Sequence, residues 1–198
     1  CEWLAALGPE ARASSALRIR EALASGEESG GGETAVVGTG WATLKGRFTY
    51  AGSAPEMPRY NVNKDMATCA PGGQAPKQQS LVVSSDGGLA NVAIFLRKTA
   101  RVHESAEPPS EPAVFDQETC VFLSHVFPIV VGQPMVIKNS DPVGHNTNIS
   151  GKNSFNQTIA ANESTTTGVK EEALPVSVTC SIHPWMKAYM LPRDNGYV

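Results

Sequence analysis

From Ala35 onward, apolar and polar positions alternate in short runs instead of recurring at helical spacing. Residues 41–50, Trp-Ala-Thr-Leu-Lys-Gly-Arg-Phe-Thr-Tyr, alternate and stop at Ala51-Gly52-Ser53, which predicts a half-buried strand ending in a turn. Residues 53–79 are rich in Pro, Gly and Gln and hold no period, so they read as a long loop tied down at Cys69. Leu81-Val82-Val83, then Ser84-Ser85-Asp86-Gly87-Gly88, then Leu89 to Leu96 predict strand, reversal and strand, because Asp-Gly supplies the positive-φ positions a tight reversal needs. Pro108, Pro109 and Pro112 mark a loop over 104–112. Further strands are predicted from Val114-Phe115, within 120–131 (one or two), and over 134–139, 165–169, 176–179 and 187–192. Many short strands with no helices between them predict a sandwich.

The first residues follow a different period. Leu4 and Leu7 open an apolar side, Gly8-Pro9 interrupts it, and Ala16, Ile19 and Leu23 recur at helical spacing among Arg12, Arg18, Arg20 and Glu21. Pro9 suits the first turn of a second helix, where its missing N–H costs nothing. Residues 2–25 therefore read as an amphipathic helical arm that packs on its own domain or docks on a partner. The Gly- and Glu-rich stretch from Ser25 to Gly32 reads as a linker,. The organisation expected is an arm and linker over 1–33 and one β domain over 34–198.

Composition narrows the function classes. A chain of 198 residues with 41% hydrophobic content can bury one core of ordinary domain size and still carry an extension,. A net charge of −3 offers no basic footprint, so no nucleic-acid partner is expected,. No apolar run approaches the roughly 18 residues of a membrane-spanning helix. There is no Gly-rich phosphate loop, no CxxC, no HExxH and no serine elbow, so no enzyme is predicted,. The four His residues are too few for the extra pairs of a trinuclear copper oxidase. Asn-X-Ser/Thr triplets at Asn148, Asn156 and Asn162 are common by chance.

The chemistry concentrates in Cys180-Ser181-Ile182-His183-Pro184-Trp185-Met186, which brings a thiolate, an imidazole and a thioether into one short loop. Soft sulfur ligands beside imidazole select copper over hard cations, and two His, one Cys and a weak axial Met make a blue-copper electron-transfer site. His145, in Asn139-Ser140-Asp141-Pro142-Val143-Gly144-His145-Asn146, is the expected second imidazole. Met186 is the axial candidate, and Met190 reads as core. His125 reads as structural and is the one alternative to His145; His103, beside Glu104, reads as solvated.

The spacing of this loop, Cys, His three residues on, then Pro-aromatic-Met, resembles that of the cupredoxins, and amicyanin more than the longer loops of plastocyanin or azurin. The upstream runs Val130-Val131-Gly132-Gln133, Val136-Ile137-Lys138-Asn139 and His145-Asn146 resemble the strand pair that carries the first His ligand. The Asn-Ser-Asp-Pro-Val-Gly-His-Asn and Ile-His-Pro-Trp-Met runs are similar to those of planctomycete cupredoxin-like proteins. The resemblance covers residues 120–192. It implies an all-β, Greek-key cupredoxin-like sandwich, here with an N-terminal helical extension, and one type 1 copper ion held by His145, Cys180, His183 and Met186. It also implies that Asn146 braces the ligand loop. The His183 edge would lie at the surface inside an apolar rim, with Pro184 and Trp185 in the docking patch. The family's chains run on past an Asp-Asn-Gly turn, so a strand beyond Val198 is expected.

The remaining cysteines extend this reading. Cys69 and Cys120 would most simply pair with each other in an oxidising compartment. Cys1 reads as the lipid-carrying first residue of a mature bacterial lipoprotein, or only as the point where this sequence starts. The function expected is an extracytoplasmic, periplasmic or cell-surface electron carrier. It would exchange single electrons with a redox protein or membrane electron-transfer complex. The alternatives are an accessory subunit of a redox or photosynthetic complex and a copper-delivery protein.

Overall fold

The computed structural model describes residues 46–99 and 101–197. The expected arm and linker over 1–33, the lipid-carrying Cys1 and the first half of the predicted strand over 41–50 lie outside the described residues. Among those described, nine strands form two sheets. The strands are β1 (Ala113–Glu118), β2 (Val121–Phe122), β3 (Val126–Val130), β4 (Met135–Asn139), β5 (His145–Ile149), β6 (Phe155–Ile159), β7 (Ser164–Thr167), β8 (Val176–Thr179) and β9 (Lys187–Arg193). One sheet runs β2-β1-β4-β7 and the other β3-β9-β8-β5-β6. The pairs β1/β4 and β3/β9 are parallel and the others antiparallel. The all-β sandwich expected from the short strands is therefore present.

Strand alternation builds the core. In β1 Phe115 and Gln117 turn inward, in β4 Met135, Ile137 and Asn139, and in β9 Ala188 and Met190. Phe115 packs on Phe122 and Phe127 with ring centroids 5.1 and 5.2 Å apart. Each buried aromatic removes a large apolar area from water, and the ring pairs add directional packing to it. β9 stays buried through Leu191, Pro192 and Arg193. The Arg193 guanidinium donates to the carbonyls of Glu172, Leu96 and Arg97 and lies over the Phe95 ring. A charge this deeply enclosed stays because both terminal nitrogens are bonded, although Nε finds no partner, and here it pins the segment 95–97 to the sandwich,.

Two sequence expectations are corrected. The reversal at Asp86-Gly87 forms, with Ser84 N–H donating to the Gly88 carbonyl and Gly87 N–H to the Ser84 carbonyl, but 81–83 and 89–96 do not become strands; only the bridges Thr49↔Gly88 and Val83↔Leu89 exist there. Val92, Ile94 and Leu96 remain exposed, so no buried face fixes a longer register,. Conversely β5 and β6, which strand propensity did not mark, pair along their whole length from His145↔Ile159 to Ile149↔Phe155. Their sequences, His-Asn-Thr-Asn-Ile and Phe-Asn-Gln-Thr-Ile, mix strand formers with Asn and Gln and lack an apolar alternation, so pairing within the sheet rather than local pattern decides them,.

The long loop after Ser53 is tied down where expected. Cys69 ends the one-turn helix α1 (Met66–Cys69) and forms a disulfide with Cys120, both fully buried. Cys120 lies in the turn between β1 and β2, where Thr119 and Cys120 both adopt φ +53°. The bridge spans 51 residues of sequence, so closing it removes denatured-state entropy worth about 4 kcal/mol at 25 °C. Cys69→Ala/Cys120→Ala is expected to lose about that much stability in a urea titration; a loss below 1 kcal/mol would show that the loop is held by other contacts.

Candidate metal centre

One end of the sandwich collects three connections: the β4–β5 loop, the β8–β9 loop and the β1–β2 turn. The first is shaped by Asn139, whose Nδ2 donates to the carbonyls of Val143, Ile159 and Ala160 while its Oδ1 accepts the Asp141 N–H. This brings His145 in at the first residue of β5, fully buried. The second loop leaves β8 at Cys180 and closes on itself. Met186 N–H donates to the His183 carbonyl at 3.0 Å and Cys180 N–H to the Met186 carbonyl at 3.4 Å. The turn places His183 and Met186 inside.

The result is a compact donor set. The Nδ1 atoms of His145 and His183 face each other at 2.9 Å. With the Cys180 sulfur they form a group whose ligand atoms all lie within 4.8 Å of one another. Both outer ring nitrogens are already engaged: His145 Nε2 meets Asp141 Oδ2 at 2.6 Å and His183 Nε2 meets Asp65 Oδ2 at 2.9 Å. Each imidazole therefore turns Nδ1 inward and is held from behind by a carboxylate, the arrangement that orients metal-ligating histidines. Cys180 is a free, buried thiol. Its sulfur accepts N–H groups from Asn146 at 3.3 Å and His183 at 3.4 Å, which favours the thiolate,.

The charges agree with that geometry. Burial alone would raise the Cys180 thiol, but the hydrogen bonds from His145 and the two backbone N–H groups outweigh it and hold the group below its ordinary value. Burial likewise works against a charged His145, yet its bonds to Asp141 and Cys180 win and push it up to about 9. Asp141 is held below the usual carboxylate range, since His145 and the N–H groups of Cys120 and Thr119 outweigh its burial. His183 is depressed, chiefly by burial and against the pull of Asp65. The metal-free centre at neutral pH thus holds an imidazolium at His145, a neutral His183 and a Cys180 sulfur that gives up its proton more readily than an ordinary thiol. A soft sulfur donor with two inward imidazole nitrogens, and Met186 buried in the same loop, fits copper,.

The expected site residues are thus placed as follows. His145, Cys180 and His183 come together, and Met186 lies buried in the same turn. Asn146 spans the two loops: Oδ1 accepts Ser181 N–H at 3.2 Å, and Nδ2 donates to Asn156 and Gln157. Met190 is core, and His125 is half-buried against the Tyr189 ring. His103 is half-buried rather than solvated, and its N–H donates to the Tyr197 hydroxyl. One expectation is overturned: the His183 edge does not lie at the surface. His183 is completely buried, because the 53–79 loop carries Asp65 across its Nε2. Pro184 is exposed, while Trp185 is half-buried, 5.2 Å from the His183 ring, and donates its indole N–H to the Cys120 carbonyl.

Sequence reasoning missed both carboxylates. Asp141 sits inside the quoted Asn-Ser-Asp-Pro run, four residues before His145, and that spacing was its available signal. Asp65 lies 118 residues from His183; nothing local marks it.

No family model matches the sequence, and no curated protein matches it. Solved structures resemble parts of it. Amicyanin from Paracoccus versutus is 14% identical over 44% of this chain and 91% of its own, with a TM-score of 0.37. A reduced Cu(I) amicyanin variant at pH 4 is 16% identical over 48% of this chain and 88% of its own, at 0.36. A Cu-containing nitrite reductase from Thermus scotoductus is 21% identical over 51% of this chain and 27% of its own, at 0.38. Likenesses this partial leave the functional argument to the site.

An incoming metal must displace the proton that His145 holds up to about 9. Affinity should therefore rise with pH, by at least about tenfold per unit between pH 7 and pH 9, with at least one proton released per ion over that range. Competition titrations across that range check this. A flat profile would mean that His145 is neutral before the metal arrives.

Proposed function

We propose that this protein is a cupredoxin-type electron carrier that binds one type 1 copper ion through His145, Cys180, His183 and Met186. The observation that supports it is the meeting of two inward Nδ1 atoms and a thiolate sulfur, each already oriented by hydrogen bonds on its far side. Copper bound there supplies a one-electron Cu(II)/Cu(I) couple. The protein's part is to hold the donors still. Asp141 and Asp65 fix the two rings, Asn146 and the His183 N–H fix the sulfur, and the tight 180–186 turn sets the spacing between Cys180, His183 and Met186. A site that barely moves between oxidation states loses little to reorganisation, which is what an electron carrier requires.

Because Asp65 covers the His183 edge, the Trp185 ring and the exposed Pro184 are the part of the loop next to His183 that a partner can reach. They serve in this reading as the docking patch for a redox protein or membrane electron-transfer complex. Among the described residues no helix is long and apolar enough to cross a membrane. The Cys69–Cys120 disulfide favours an oxidising compartment, the periplasm or cell surface,; a lipid on Cys1 would supply membrane attachment there.

Copper-loaded protein should show the intense visible band of thiolate-to-Cu(II) charge transfer and the narrow copper hyperfine splitting of a type 1 centre by EPR. Cys180→Ser should abolish the band. Met186→Leu should keep it and raise the reduction potential, since a weak axial donor to Cu(II) is lost. Uptake of Cu(I) alone with no visible band would replace the carrier with copper delivery. A band that survives Cys180→Ser would remove the ligand set.

A further inference from the structure

The loop over 53–79, which carries no strand of either sheet, reaches the centre through one side chain. Asp65 precedes α1 with φ +49°, its carbonyl accepts the N–H groups of Thr68 and Cys69, and its carboxylate is only one-third exposed against His183. Four residues on, the Cys69–Cys120 disulfide anchors the same turn to the sandwich. The Cys69 and Cys120 sulfurs lie within 4.8 Å of a His183 ring nitrogen, so the clamp and the imidazole are in one cluster. The carboxylate is thereby delivered to His183 by a rigid, covalently fixed turn.

Resting on the copper reading above, we propose that Asp65 is a positioning residue for the centre, accepting the His183 Nε2–H and so committing that imidazole to the tautomer whose Nδ1 lone pair faces inward. Three observations carry this. The 2.9 Å contact to Asp65 is the polar contact of the His183 Nε2, and a carboxylate there can only accept,. The Nδ1 atom faces His145 Nδ1 at 2.9 Å, and Cys180 sulfur lies 3.9 Å away. A protonated His145 favours the same form through its Nδ1–H, and when that proton leaves, as it must for a metal to enter, Asp65 is what keeps the His183 ring in the form a metal requires,. A carboxylate behind the ring also makes the imidazole a stronger donor, as outer partners of metal-bound histidines do. Asp65 thus does for His183 what Asp141 does for His145, but from a segment outside the sheets.

Two variants test this. Asp65→Gly deletes the carboxylate while accepting the positive φ, and Asp65→Asn keeps an uncharged acceptor in a residue that also tolerates that conformation. Nitrogen-15 NMR of the metal-free protein above pH 9, where His145 is neutral, should show His183 as a single Nε2–H tautomer in the wild type. The ring should be a mixture in the Gly variant and close to wild type in the Asn variant. Copper affinity, by competition titration, should fall about tenfold to a hundredfold in the Gly variant and less in the Asn variant. A Gly variant with one tautomer and wild-type affinity overturns the proposal, and so does one that melts earlier with both readouts unmoved. The tautomer is read without metal. Failure of the wild type to bind copper would therefore sink the functional reading and leave this result standing.

Discussion

The centre depends first on one buried carboxylate. Asp141 is 3% exposed and accepts three donors: the N–H of Thr119, the N–H of Cys120 and the Nε2 of His145. An isolated buried carboxylate would be prohibitively costly, and this one is satisfied only because a turn with two positive-φ residues aims both its N–H groups at it,. Thr119 and Cys120 pay for that geometry with backbone strain of order 1–3 kcal/mol each. The same side chain thus stabilises an unfavourable turn, holds half of the disulfide in place, and fixes the ring that faces the thiolate.

The opposite wall is built on the same logic with different materials. Asn139 folds the β4–β5 loop by giving its amide to three carbonyls, and Asn146 holds the Cys180 loop by accepting Ser181 N–H. Neither residue is a ligand candidate, yet without them the backbone of both loops would have polar groups buried and unmatched. The two strands that frame the ring, β5 and β6, are rich in Asn, Gln and Thr, and their ladder holds in spite of composition. The centre is therefore assembled by side-chain-to-backbone bonds on top of an apolar sandwich, and the core aromatic cluster of Phe115, Phe122 and Phe127 supplies the stiffness beneath it.

What the sequence reveals follows how local each determinant is. The thiolate, imidazole and thioether of the 180–186 loop are readable because one tight turn must present them together, and His145 is readable because its run sits between strand-like segments. Strands with alternating apolar residues, such as β1, β4 and β9, are legible for the same reason. β5 and β6 were not, since their pairing partners rather than their own residues decide them. The segment 81–96 errs the other way: Leu81-Val82-Val83 and Val92, Ile94 and Leu96 have strand composition but no face to bury. The covering of His183 was hidden entirely, because it joins residues 118 apart through a loop with no period.

On the electron-carrier reading proposed above, that covering changes how an electron would cross the surface. An imidazole edge in contact with solvent offers a partner the shortest route to the site, and here Asp65 occupies it with a negative charge. A route left open on that reading would pass from His183 to Trp185, whose ring lies 5.2 Å away and whose indole N–H is fixed on the Cys120 carbonyl. Both of these constraints return to the disulfide: Cys69 carries the turn that bears Asp65, and Cys120 provides the carbonyl that orients Trp185. A single covalent bond thereby closes one path and aligns the other. The geometry of exchange is set by the loop outside the sheets as much as by the ligands within them.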